Sequence, residues 1–111
     1  MEIRSDNNFC IITPLCPRLE KSFCKSFFKN ADFGNKKIAL DLSYVSDCTI
    51  EFVETIKEFA KYHELGVFNI CSDVFALFNF MRIDKAVNIF VSEIDFRENS
   101  RQLINREFTI V

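Results

Sequence analysis

Along this chain, short unbroken apolar runs alternate with stretches in which apolar residues return every third or fourth position. The first pattern predicts strands and the second predicts helices with one buried stripe. The run over 8–13 ends at Pro14 and predicts a strand. Pro17 then stands where a first helical residue is favoured, and Leu19, Phe23 and Phe27 recur at every fourth residue with Cys24 and Phe28 beside them, so a helix is predicted over 17–29. Residues 30–36, with Gly34, read as a loop, and 37–42 as a second strand. Phe52, Val53, Ile56, Phe59, Ala60 and His63 form the stripe of a helix over 49–63. Asp47 is its expected N-cap and Gly66 the glycine that stops it. A strand over 67–71 follows, then a helix capped by Ser72 and carrying Val74, Leu77, Phe78 and Met81 at i, i+3, i+4 and i+7. Residues 86–91 predict another strand, Ser92 the cap of one short helix, and 108–111 an edge strand.

Strands that alternate with helices at short spacing imply right-handed crossovers and a mainly parallel sheet. The expected fold is therefore α/β: one domain over 1–111, with a four- to five-stranded mixed, largely parallel sheet, helices packed mainly on one face, and residues 99–111 as a C-terminal extension. A chain of 111 residues is long enough to bury a real core.

Composition narrows the function. Fourteen basic and sixteen acidic residues leave a net charge of −2 with no basic block, so the electrostatic footprint of a nucleic-acid-binding protein is missing. No apolar run approaches the length of a membrane span, and the start Met1-Glu2-Ile3-Arg4-Ser5-Asp6 lacks the pattern of a signal peptide. A cytoplasmic protein with no direct membrane insertion is expected. The five cysteines include no Cys-x-x-Cys pair, and His63 is the single histidine, so no zinc spacing is present and no metal or other cofactor is expected. Reduced thiols acting as small hydrophobes are the expectation. His63, at the end of its helix, reads as a tethered or capping imidazole.

One stretch is neither ordinary core nor ordinary surface. At 41–49 (Asp-Leu-Ser-Tyr-Val-Ser-Asp-Cys-Thr) a strand ends and a helix begins, and small polar side chains and a thiol gather where unpaired N–H groups favour negative charge. Asp41 and Ser43 suit a strand-end turn. A thiol in the first turn of a helix can be acidified, but no His or Lys adjoins Cys48 in sequence, and Asp47 opposes a thiolate. Ile50 and Phe80 fall outside the buried arcs of their helices and mark a candidate docking face.

These residues resemble the STAS domain, the family of sulphate transporters and anti-sigma factor antagonists. Its pattern is an apolar strand ending in Asp-Leu-Ser, a few residues, then Asp-Ser-Ser/Thr-Gly opening a helix. Asp41-Leu42-Ser43 matches the first part, and Asp47-Cys48-Thr49-Ile50 stands at the second. Gly66-Val67-Phe68-Asn69-Ile70-Cys71 resembles the family's glycine and following strand, and Val74, Leu77, Phe78 and Ile83-Asp84-Lys85 its third helix and exit, so the resemblance covers 8–98. The departures fall on the switch. Cys48 occupies the position of the phosphorylated serine, Ile50 that of the glycine, and Thr13-Pro14-Leu15-Cys16 that of an early Gly-x-Leu-Asp.

The resemblance implies a non-catalytic signalling module, not an enzyme, in a bacterial cytoplasm. It would dock a protein partner through the second helix N-terminus and the loop before it, using Ser43, Ser46, Asp47, Cys48, Thr49, Ile50 and Phe80. The implied partner is an anti-sigma factor of the serine-kinase type, with transcription as the regulated output. Thr49 is the nearest hydroxyl that could substitute as phosphoacceptor, set against an ordinary capping role. Two alternatives stand beside this expectation. One is an accessory subunit holding the ATPase of an ABC-type lipid transporter, which needs no phosphoacceptor. The other is a thiol-based redox sensor at Cys48, which needs an acid-shifted thiol.

Overall fold

A computed structural model describes residues 1–30, 34 and 36–98. The strands are β1 (Glu2–Ser5), β2 (Phe9–Thr13), β3 (Arg18–Leu19), β4 (Lys37–Asp41), β5 (Asp47–Cys48), β6 (Leu65–Phe68) and β7 (Asn88–Ile89). The helices are α1 (Lys21–Asn30), α2 (Ile50–Phe59), α3 (Ser72–Phe80) and α4 (Glu93–Glu98), with a 3₁₀ turn at Ile83–Lys85. Five strands form one mixed sheet in the order β1-β2-β4-β6-β7. β1 is antiparallel to β2, and the remaining pairings are parallel.

This order explains where the helices sit. The parallel strands are laid down in sequence order across the sheet, and right-handed crossovers that all step the same way deliver their helices to the same face. α1, α2 and α3 accordingly share a core with Cys10, Ile12, Ile38, Leu40, Leu65 and Val67, contributing Cys24, Phe52, Val53, Ile56, Val74 and Phe78. The strand residues between those positions point to the opposite face. There Ile11, Ala39, Phe68 and Phe90 are buried under a single α4 side chain, Phe96. The mixed sheet with helices mainly on one face is the expected α/β fold.

Several local expectations are corrected. α1 begins at Lys21 rather than at Pro17, because Arg18 and Leu19 pair with Asp47 and Cys48 in a small second sheet. α2 ends at Phe59, and Gly66 lies inside β6 instead of stopping a helix. A Cβ on Gly66 would stand 2.9 Å from Phe96 Cδ1 and 3.0 Å from Phe90 Cε2, so the glycine permits close approach of two rings. The strand expected over 67–71 is Leu65–Phe68, and Asn69 turns out of it with φ of 56°. The strand expected over 86–91 narrows to Asn88–Ile89. Cys71, not Ser72, is the N-cap residue of α3. His63 is exposed and stacks on Phe59 with ring centroids 4.5 Å apart. β1 was not expected: its alternating charges give no apolar signal. The edge strand expected over 108–111 lies outside the described residues. Ser92 does open α4, accepting from Asp95 N–H at 3.4 Å and donating to Asp95 Oδ2 at 3.1 Å.

Candidate functional site

The joint between β4 and α2 lies at the carboxyl ends of the parallel strands. It is built mainly by main-chain groups. Asp41 Oδ1 accepts from Ser43 N–H and from Asn69 Nδ2, each at 3.1 Å, so the strand-end turn is tied to the turn after β6. Leu42 N–H donates to Phe68 O, and Val45 N–H donates to Leu42 O. Leu42 and Val45 are buried, and the turn they anchor presents Ser43 and Tyr44 to solvent.

The next contacts are long-range. Pro17 O accepts from Ser46 N–H at 2.8 Å, from Asp47 N–H at 3.1 Å and from Ser46 Oγ at 3.2 Å. Asp47 and Cys48 then run parallel to Arg18 and Leu19, and Thr49 N–H donates to Leu19 O. Extended backbone at 47–48 moves the helix start two residues beyond the expected cap. Thr49 is the N-cap: its φ and ψ are −82° and 158°, and its Oγ1 accepts from Phe52 N–H at 3.1 Å. Such a cap contributes about 1 kcal/mol. Asp47 is therefore not the cap. Its Oδ1 accepts from Cys48 N–H at 2.9 Å, and its Oδ2 lies 3.7 Å from Arg18 Nε, on an exposed surface.

Cys48 faces inward. It is 5% exposed and belongs to the core beneath α1, α2 and α3. Burial first, then the charge of Asp47 and the neighbouring Cys71 thiol, push its pKa up to about 11. That is opposite in direction to the acidification a thiol sensor needs at neutral pH. The other buried thiols follow the same rule: burial raises Cys10 and pushes Cys24 up to about 12. All five cysteines are free. Cys71 Sγ donates to Ser46 O at 3.6 Å and makes no cap bond, which brings the start of α3 against the joint.

Ser43, Ser46, Asp47 and Ile50 are each exposed in the stretch that leads into α2, and Thr49 is half-buried. Ile50 is 54% exposed. Cys48 offers the exposed surface of that stretch no side chain. Phe80, although 84% exposed, does not join it. α3 starts at the joint and runs back along the sheet, and its nine residues carry Phe80 roughly 13 Å down the helix axis. Sequence reasoning missed Tyr44, 62% exposed at the tip of the turn, as well as Arg18, Asn69 and Cys71. Tyr44 had a readable signal, a large aromatic inside a run of small polar residues. The other three meet the joint through pairings 25 to 29 residues apart, which no local pattern encodes.

A small pocket whose lining includes Lys37, Glu64, Gly66, Asn88, Phe90 and Phe96 lies at the amino ends of the strands, the far end from the joint. Among the described residues no group of three or more His, Cys, Asp or Glu side chains is placed to hold a metal ion. No helix among them is long and apolar enough to cross a membrane. No protein-family model matches the chain, and no match is found among curated proteins either.

Proposed function

We propose that this chain is a STAS-like, non-catalytic binding module that docks a protein partner through the β4–α2 joint. The observation that carries the reading is the hydrogen-bonded presentation of the α2 N-terminus. Thr49 caps it, Pro17 O and Leu19 O pin the backbone before it, and Ser46, Asp47 and Ile50 are displayed at its rim. An apolar residue set among polar ones on a fixed backbone is the anatomy of a small docking patch. The parallel strands also follow one another in a single direction, without the reversal that opens a ligand crevice in doubly wound sheets.

The partner that fits the resemblance is an anti-sigma factor of the serine-kinase type in a bacterial cytoplasm. Its regulation would not run through position 48, where a buried thiol replaces the serine. The same observation favours a second reading, a constitutive accessory subunit on the ATPase of an ABC-type lipid transporter. Thr49 is a poor substitute acceptor, since its hydroxyl is engaged as the cap.

Capture from bacterial lysate with the wild-type chain, Asp47→Lys, Ile50→Glu and Phe80→Glu tests the reading. The expected result is an ATPase retained by wild type and Phe80→Glu and lost, about tenfold or more, with Ile50→Glu, as for a central contact of a small interface. A histidine-kinase-like ATPase selects the first reading and an ABC ATPase the second. Equal capture by all four folded proteins sinks the joint as the docking surface.

A further inference from the structure

β1 is the open edge of the five-stranded sheet, and among the described residues only β2 pairs with it. The hairpin reveals which of its backbone groups face outward. Asp6 N–H donates to Phe9 O at 3.0 Å. Bonded and non-bonded pairs alternate along an antiparallel ladder. Counting from Asp6 and Phe9, the pairs Arg4↔Ile11 and Glu2↔Thr13 are the bonded ones, whereas Ser5↔Cys10 and Ile3↔Ile12 are not. The N–H and C=O groups of Ile3 and Ser5 therefore point away from the sheet. Side chains alternate as well. Ile3 lies on the face of Ile12 and is 52% exposed, whereas Glu2 and Arg4 lie together on the other face.

We propose that a second copy of this chain pairs antiparallel with β1 about a two-fold axis through Ile3, so that one sheet continues across both copies. In this register the outward N–H and C=O of each Ile3 bond those of the other, the natural centre for a two-fold ladder. Glu2 of each copy faces Arg4 of the other, twice over by symmetry, at the separation of directly opposed residues. The two Ile3 side chains meet on the opposite face and shield each other from water. Other registers fail on the same physics. An axis through Glu2 or Arg4 would set Glu2 against Glu2 or Arg4 against Arg4, opposing like charges at the centre of the ladder. An axis through Ser5 would set Ile3 against Asn7 and leave its apolar surface unmatched. Arg4 is already held in place, with Nη2 2.6 Å from Glu93 Oε1 and Nε 3.8 Å from Glu2 Oε1. A four-residue edge buries less than the roughly 1,000 Å² of a stable interface, so the association is weak and sensitive to salt. It uses a different edge from the joint and does not depend on the function proposed above.

The test is amide exchange and sedimentation of the full chain over a dilution series reaching about 1 mM, where an interface of this size becomes populated. The Ile3 and Ser5 amides are expected to slow with rising concentration, about twofold by about 1 mM, while those of Glu2 and Arg4 do not change with dilution. Ile3→Pro removes an N–H that the hairpin does not use, and proline is tolerated on an edge strand. It is expected to abolish the dimer and leave the unfolding midpoint in place. Glu2→Arg is expected to weaken association about tenfold, since two favourable pairs become repulsive. A chain that stays monomeric throughout, Ile3 and Ser5 amides indifferent to concentration, or a dimer that survives Ile3→Pro each overturns the proposal.

Discussion

Three helices cover one face of the sheet, and their core runs from Cys10 and Ile12 across to Val67 and Ile89 with Phe52 and Phe78 among its largest side chains. Among the described residues, the other face is covered by the six residues of α4, through the ring of Phe96. That ring meets Phe9 and Phe90 edge-on, with centroids 5.5 Å away in each case, and Phe68 at 5.9 Å. Around it Glu93 accepts from Arg4 and from Arg97, Arg97 reaches Asp6, and the Arg97 guanidinium lies 4.9 Å from the Phe9 ring centroid. The broad face is thus held by distributed apolar burial, which is nearly insensitive to salt. Among the described residues, the narrow face is held by one aromatic plug and a surface ion network, which salt screens. Stability in such a molecule is expected to be graded, with α4 opening before the rest.

The largest expected effect breaks the broad face. Phe52 is fully buried and its ring lies 6.4 Å from that of Phe23. Phe52→Ala should cost about 3–5 kcal/mol, read as a global fall in the denaturant midpoint with every amide losing protection together. A loss confined to α2 would contradict the single cooperative core.

Gly66→Ala is next and attacks the narrow face. The new methyl would press on Phe96 and Phe90, and α4 is the element free to yield. We expect about 1–3 kcal/mol, the usual range for overpacking, with protection lost first in 93–98. In a Phe96→Ala background the same change should cost less, because one of its two clashing rings is gone. Equal costs in both backgrounds would mean that the Phe90 contact governs.

The smallest effect comes from acid. The Arg4 hydrogen bonds hold the Glu93 carboxyl below its ordinary value, and the N–H groups of Asn8 and Phe9 do the same for Asp6. A carboxyl lowered by folding stabilises the native state above its unfolded pKa, and that contribution fades as pH falls through the native one. The hold on α4 should therefore be complete above about pH 5 and weaken below about pH 4. Protection factors in 93–98, taken relative to the slower intrinsic exchange in acid, should fall there ahead of those in α2, and high salt at neutral pH should lower them in the same way. An α4 equally protected at both pH values would leave Phe96 as its main anchor among the described residues.

Where sequence reading succeeded, the signal was local. The stripe of Phe52, Val53 and Ile56 gave α2, and Val74 and Phe78 gave α3, because a buried helix face repeats within a few residues. The joint itself was visible as a dense polar stretch between a strand and a helix. Its details were not, because Pro17 O and Leu19 O decide them from nearly thirty residues away. That pairing shortens α1, holds 47–48 extended and passes the cap from Asp47 to Thr49. Gly66 was misread for a related reason. A glycine beside a helix end looks like a stop signal, and only the tertiary approach of Phe96 reveals its purpose. β1 carries charges on one face and a single apolar residue on the other, and becomes a strand only through its hairpin partner.

The buried thiols have one more consequence. Cys10, Cys24 and Cys48 all belong to the broad-face core, and the narrow-face cluster contains no cysteine among the described residues. Their raised pKa values and burial close off direct attack by an alkylating reagent. Modification of these three must wait for the core to open, so its rate is a clock for that opening alone. The native chain carries its own stopwatch for one side of the sheet and is silent about the other.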